Sequence, residues 1–205
     1  MITIYGMQDS GNCYKPRLLM ALLGKPFQHV EVDFLDGSTQ HSDLLAKNPI
    51  GKVPVLELED GRFLPESNAI LSYLGEGTAF GPSDAFKRAK MLSWMFFEQY
   101  SHEPNVAVRR SLLVNPSREA QATPGRLAET LDGGNKALAV METALTRSNW
   151  LVGDAPTLAD IALYAYTHVA DQGGFDLAAY SGIRAWLSRI EALPGYQPMT
   201  WLPGT

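Results

Sequence analysis

The 205-residue sequence contains a single cysteine, Cys13. A lone thiol excludes an internal disulfide framework and any multi-cysteine metal site. The four histidines, at 29, 41, 102 and 168, show no ligand spacing, so no metal is expected. Lysine and arginine nowhere cluster, and the net charge is −5. That leaves no phosphate-tracking surface, and no nucleic-acid partner is expected. Long apolar runs are missing as well, so no membrane span and no membrane partner are expected. The opening residues, MITIYGMQDSG, have neither a basic stretch nor a long apolar one and do not read as a secretory signal. What remains is the expectation of a cytoplasmic globular protein. Its hydrophobic content of 45% suffices for one core, or for two modest cores sharing an interface.

The first 75 residues alternate between the two periodicities. ITIY (2–5) is a short β-rich run, and Tyr14 to Leu23 has Leu18/Leu22 and Leu19/Leu23 at helical i, i+4 spacing, with Pro16 in the first turn. FQHVEVDF (27–34) alternates as a half-buried strand, and His41 to Lys47 suggests a short helix. PVLEL (54–58), the turn Glu59-Asp60-Gly61 and Arg62-Phe63-Leu64 form a hairpin, and a helix runs from Glu66 to Leu74. The order is β-α-β-α-β-β-α. Residues 76–84, rich in Gly, Pro and small side chains, read as a linker. From 85 to 205 the strand signal fades. A long helix over Ala85 to Leu113 should kink near Pro104, which lacks a backbone donor. Further helices are expected over Pro124 to Arg147, with a weak point at Gly133-Gly134, from Thr157, and over Gly182 to Leu193. Thr157 and Asp160 have the spacing of a capping box.

Four local motifs now matter together: Asp9-Ser10-Gly11-Asn12-Cys13-Tyr14-Lys15-Pro16-Arg17, Asn48 to Leu56 around Val53-Pro54, Leu64-Pro65-Glu66-Ser67-Asn68-Ala69-Ile70, and Pro156-Thr157-Leu158-Ala159-Asp160-Ile161. In this order and spacing the chain resembles the cytosolic glutathione S-transferases over essentially its whole length. The resemblance implies a thioredoxin-like α/β domain (1–75), a linker (76–84) and an all-α domain (85–205). It also implies glutathione as co-substrate, a small electrophile as the second substrate, and a homodimer.

Glutathione offers an ammonium, two carboxylates, a thiol and an extended backbone, and each needs a partner. Val53-Pro54, which the resemblance implies to be a cis peptide, would present backbone groups to the cysteinyl moiety as an added strand does. Ser67, at a helix start, offers an N–H and a hydroxyl to the γ-glutamyl carboxylate, and Glu66 can accept from the ammonium. Lys52 and His41 are candidates for the glycyl carboxylate.

The thiol itself must ionise. A free thiol has a pKa near ~8.5, and a hydrogen bond to a charged group is worth ~1.5–3 kcal/mol, or roughly one to two pH units. One well-aimed donor therefore suffices. Three residues compete for that role: Ser10 first, by the resemblance to serine-type members and its spacing to Lys15 and Arg17; then Asn12, through its amide; then Cys13, which in cysteine-type members forms a mixed disulfide. Tyr5 lies inside the first strand and reads as core. Tyr100, Arg109 and Tyr164, with His168, are candidates to line an acceptor site. A glutathione-dependent disulfide or peroxide reductase and a non-catalytic glutathione-binding relative are the alternative readings.

Overall fold

The computed structural model describes residues 1–33 and 36–204, which form two compact units. Met1–Glu76 together with Leu193–Thr205 make the first, and Gly77–Ala192 the second. Leu193–Thr205, within the all-α domain expected over 85–205, groups by its contacts with the first unit.

In the first unit a four-stranded sheet runs β1 (Thr3–Gly6), β2 (Gln28–Glu31), β3 (Val55–Glu57) and β4 (Phe63–Pro65), in spatial order β2-β1-β3-β4. β1 and β2 are parallel, whereas β1/β3 and β3/β4 are antiparallel. The expected strand over 27–34 is thus confined to four residues, and its last residue, Phe34, lies outside the described residues. Register follows the side-chain alternation. Ile4 pairs with Leu56, and both are fully buried beneath α1 (Gly11–Leu22) and α3 (Ser67–Gly75). Tyr5 pairs with Val55 on the other face, where they join Val32, Val53 and Leu44 of α2 (Ser42–Lys47).

α1 begins three residues before the Tyr14 start inferred from periodicity. Ser10 is its N-cap, accepting from Cys13 N–H at 3.4 Å, so the helix extends back through Gly11 and Pro16 stands in its second turn.

The second unit is helical: α4 (Ala85–Phe97), α5 (Glu103–Val114), α6 (Pro124–Leu145), α7 (Leu158–Thr167) and α8 (Ser181–Glu191). The interruption expected at Pro104 is a π-helical turn, Glu98–His102, placed just before it, and Glu103 N–H bonds to Glu98 O across that turn. Pro104 then falls at the start of α5, where a missing N–H costs little. Gly133 and Gly134 leave α6 intact and serve close packing: a Cβ at Gly133 would strike the Asn105 side chain, and one at Gly134 the Phe175 ring. No helix among the described residues is long and apolar enough to cross a membrane.

Burial holds two histidines below their ordinary pKa: His29 in the first unit and His168 in the second, the latter stacked on Tyr164 at 4.7 Å. The fold therefore disfavours their charged forms, and the unfolded chain binds more protons in this window. Stability should fall as pH drops below about 6.5, the ordinary histidine value. Denaturant midpoints between neutral pH and about 5.5 should show that decline, with His168→Gln flattening it. An unchanged slope in the variant would exclude His168 as a contributor.

Candidate functional site

Strand register brings the first unit's motifs to one end of the sheet. Val55 opposes both Tyr5 and Pro65, so the chain just before β3, just after β1 and just after β4 meets there. Those segments are Val53-Pro54, the 7–10 turn, and Glu66-Ser67. The Val53–Pro54 peptide is cis. Glu66 is exposed and, alone among the described non-glycine residues, is held at positive φ, 73°.

Two helices start at this end, and their first turns touch. Ser67 opens α3 and Asn12 lies in the first turn of α1, with Ser67 Oγ 3.3 Å from Asn12 Oδ1. Lys15 Nζ donates to Ser67 Oγ at 3.2 Å and reaches Asn68 Oδ1 at 3.4 Å. Lys15 is fully buried and Ser67 nearly so. Two helix N-termini and a buried ammonium thus converge, and each favours negative charge. Sequence reasoning gave Lys15 no role. The signal was present: Lys15 sits four residues before Leu19, on a buried stripe of α1 where a charge needs a reason.

Of the three thiol-donor candidates, Ser10 and Asn12 are half-buried, and both stand at the N-terminus of α1. Ser10 Oγ accepts the Cys13 N–H and its hydroxyl also hydrogen-bonds the Cys13 side chain, so the O–H would have to turn from Cys13 to reach a ligand sulfur. Cys13 does not fit its expected role. Its side chain is fully buried, within reach of any Cβ placed at Gly6, and burial pushes the thiol up to about 11. A thiol held protonated and sealed from solvent cannot form a mixed disulfide. Tyr5 is no donor either: its hydroxyl is spent on Glu57 at 2.5 Å, and burial with that carboxylate pushes its pKa up to about 12.

His41 and Lys52 both have exposed side chains, His41 at the N-cap position of α2 and Lys52 one residue before Val53. The Lys52 backbone is fixed, its carbonyl accepting from Asn48 Nδ2 at 2.8 Å.

The acceptor candidates divide. Tyr100, on the π turn, is 88% exposed. Arg109 is a staple within the helical unit, donating to Gly173 O at 2.6 Å and to Leu127 O and lying over the Phe175 ring. Tyr164 is fully buried, its hydroxyl 3.2 Å from Glu191 and its ring against His168 and Trp186. Arg109 and Tyr164 therefore hold the unit together, and Tyr164 offers no surface to a small molecule. Helical spacing alone gave no means of telling a lining residue from a core one. Among the described residues no group of His, Cys, Asp or Glu is placed to hold a metal ion.

The glutathione S-transferase N-terminal domain family matches residues 1–76, and the C-terminal domain family matches residues 109–194. The chain is 31% identical over 205 residues to glutathione S-transferase 3 of Zea mays, covering 96% of this chain and 91% of that one. The crystal structure of a glutathione S-transferase from Pseudomonas fluorescens superposes with a TM-score of 0.93 at 51% identity, covering 97% and 98% of the two chains. A glutathione transferase homologue from Sulfitobacter, solved with bound glutathione, superposes with a TM-score of 0.80 at 25% identity, covering 98% of this chain and 95% of that one.

Proposed function

Since the chain belongs to the glutathione S-transferase family, we propose that it binds glutathione at the end of the sheet and ionises its thiol for attack on a small electrophile. The observation that carries this reading is the convergence of the first turns of α1 and α3 at Asn12, Lys15 and Ser67. Ser67 and the α3 N-terminus take the γ-glutamyl carboxylate, with Lys15 adding positive charge behind them. The exposed Glu66 carboxylate accepts from the ligand ammonium. The Val53 backbone pairs with the cysteinyl moiety, and Lys52 and His41 serve the glycyl carboxylate. Ser10 donates its hydroxyl hydrogen to the sulfur, with Asn12 beside it on the same turn. The thiol proton passes to solvent. The thiolate then forms the new C–S bond, and the electron pair leaves with a departing group or stays on the acceptor.

The test is the ultraviolet thiolate spectrum of bound glutathione as a function of pH. In the wild type the thiol should ionise one to two units below its free value of ~8.5. Ser10→Ala should return it toward that value and lower kcat by roughly 10- to 100-fold, leaving glutathione affinity within about threefold. Binding with an unshifted thiol in the wild type would make this a glutathione-binding protein without transferase chemistry.

The chain is proposed to work as a cytoplasmic homodimer. In support, α4 exposes two large rings, Phe86 at 71% and Phe96 at 69%, which a second copy would cover. Sedimentation should give twice the monomer mass, and Phe86→Asp should shift the population toward monomer. Monomeric wild type at micromolar concentration would dismiss the dimer.

A further inference from the structure

The segment after Leu193 packs in the first unit, and its backbone carbonyls receive side chains from the stretch that carries Ser10. Gln8 Nε2 donates to Thr200 O at 2.5 Å, Arg17 Nη2 to Met199 O at 3.1 Å, and the Tyr14 hydroxyl to Gln197 O at 2.6 Å. Arg17 Nη2 also donates to Gln8 O at 2.6 Å, and Gln8 N–H to Glu31 Oε1 at 2.9 Å. Gln8 is therefore held three ways. Its N–H is tied to β2, its carbonyl to α1, and its side chain to the terminal segment. Ser10 follows two residues later, and its own N–H closes the turn on Met7 O at 3.2 Å.

The terminal segment is itself fastened against the far end of α1 and the start of β2. Trp201 packs edge-on against Phe27 at 6.0 Å. Gly195, at φ 84°, passes so near Ala21 O that a Cβ there would lie 2.7 Å from it. Arg17 is fully buried, and one of its nitrogens, Nη2, bridges the carbonyls of Gln8 and Met199, while Nε and Nη1 have no hydrogen-bond partner.

We propose that residues 195–201 act as a clamp on the 7–10 turn, with Gln8 and Arg17 as positioning residues that hold the Ser10 hydroxyl at the place of the thiolate. This rests on the role given to Ser10 above. A hydrogen bond to sulfur is lost when its donor moves by about an ångström, and misplacements of that size reduce rates by about 100-fold. In this turn Asp9 is exposed and Met7, Gln8 and Ser10 are only half-buried, so bonds from outside the turn help to hold it against such a shift. The clamp supplies them.

The test compares three forms of the chain with the wild type: Gln8→Leu, which removes the bond to Thr200 and keeps the side-chain bulk; Arg17→Met, which keeps the length and removes the Nη2 bridge between Gln8 O and Met199 O; and a chain ending after Pro198. Each should move the thiol pKa of bound glutathione back toward the free value by about one unit and lower kcat about tenfold, with glutathione KM within about threefold. Circular dichroism identifies a shortened chain that has not folded, and Gln8→Leu then decides. Folded variants with the wild-type thiol pKa would overturn the clamp. So would variants that bind glutathione tenfold more weakly with the thiol pKa unchanged, since the segment would then serve binding alone. An unshifted thiol in the wild type is a different result: it overturns the role of Ser10 itself, and the clamp with it.

Discussion

Asp160→Ala should remove roughly 4 kcal/mol or more of folding stability, a large part of the 5–15 kcal/mol typical of a folded domain. The carboxylate is fully buried and accepts four hydrogen bonds. Thr157 N–H and Thr157 Oγ1 reach one oxygen at 2.8 and 3.0 Å, and Leu151 N–H and Trp186 Nε1 reach the other at 3.0 and 2.9 Å. One side chain thus caps α7, pins the loop before it and orients the fully buried Trp186 of α8. Burial pushes its pKa up, against the pull of all four donors. Alanine would strand those donors without water, each at a cost of about 1–3 kcal/mol before relaxation. Asparagine does not rescue the site, because its NH2 would face two of the same donors. Urea denaturation of Asp160→Ala and Asp160→Asn measures this. A loss below 1 kcal/mol in either would mean that solvent already reaches the carboxylate.

Glu66→Gly should act in the opposite sense on stability while weakening glutathione binding. The residue sits at φ 73°, ψ 112°, a conformation costing about 1–3 kcal/mol for a side chain with a Cβ. Glycine relieves that strain and gives back about 0.5–1 kcal/mol in unfolded-chain entropy, so the net gain is about 1 kcal/mol. In a chain of this size that is roughly 2–4 °C in Tm. Loss of the carboxylate removes a charge-assisted bond to the ligand ammonium, about 1.5–3 kcal/mol, and should weaken glutathione binding roughly 10- to 100-fold. Glu66→Ala separates the two effects, since it loses the same affinity but keeps the strained backbone and gains no stability. If Glu66→Gly were less stable than wild type, the positive φ would not be a site of stored strain.

Much of this was written locally in the sequence. Alternation and turn chemistry gave the order of strands and helices in the first unit, because hairpins and single helices are fixed by neighbours in the chain. The Thr157–Asp160 box was equally legible, three residues apart, but not the reach of Asp160 to Trp186 and Leu151. Cys13, read at the threshold of the first helix, lies inside it and is fully buried, because Ser10 caps α1 earlier than the leucine spacing suggests. Arg109 and Tyr164 have the chemistry of ligand contacts and the surroundings of structural members, a difference that appears only when distant elements pack. The contacts of residues 197–200 left no trace at all: their acceptors are backbone carbonyls, which any residue supplies.

The π turn at Glu98–His102 has a consequence for insertions and deletions. One row of buried positions along these consecutive helices is Met91, Met95, Glu98, His102, Val106 and Arg110, at spacings of three or four residues. In an unbroken α-helix, at 3.6 residues per turn, such a row winds steadily away from the neighbours it packs on. One extra residue in the π turn resets the phase by about 100° and returns α5 to the line set by α4. Losing a single residue here would therefore rotate everything after it by about 100°, carrying the buried row of α5 round to its flank. In this helix length is a coordinate in its own right: changing a residue alters one contact, whereas removing one alters them all.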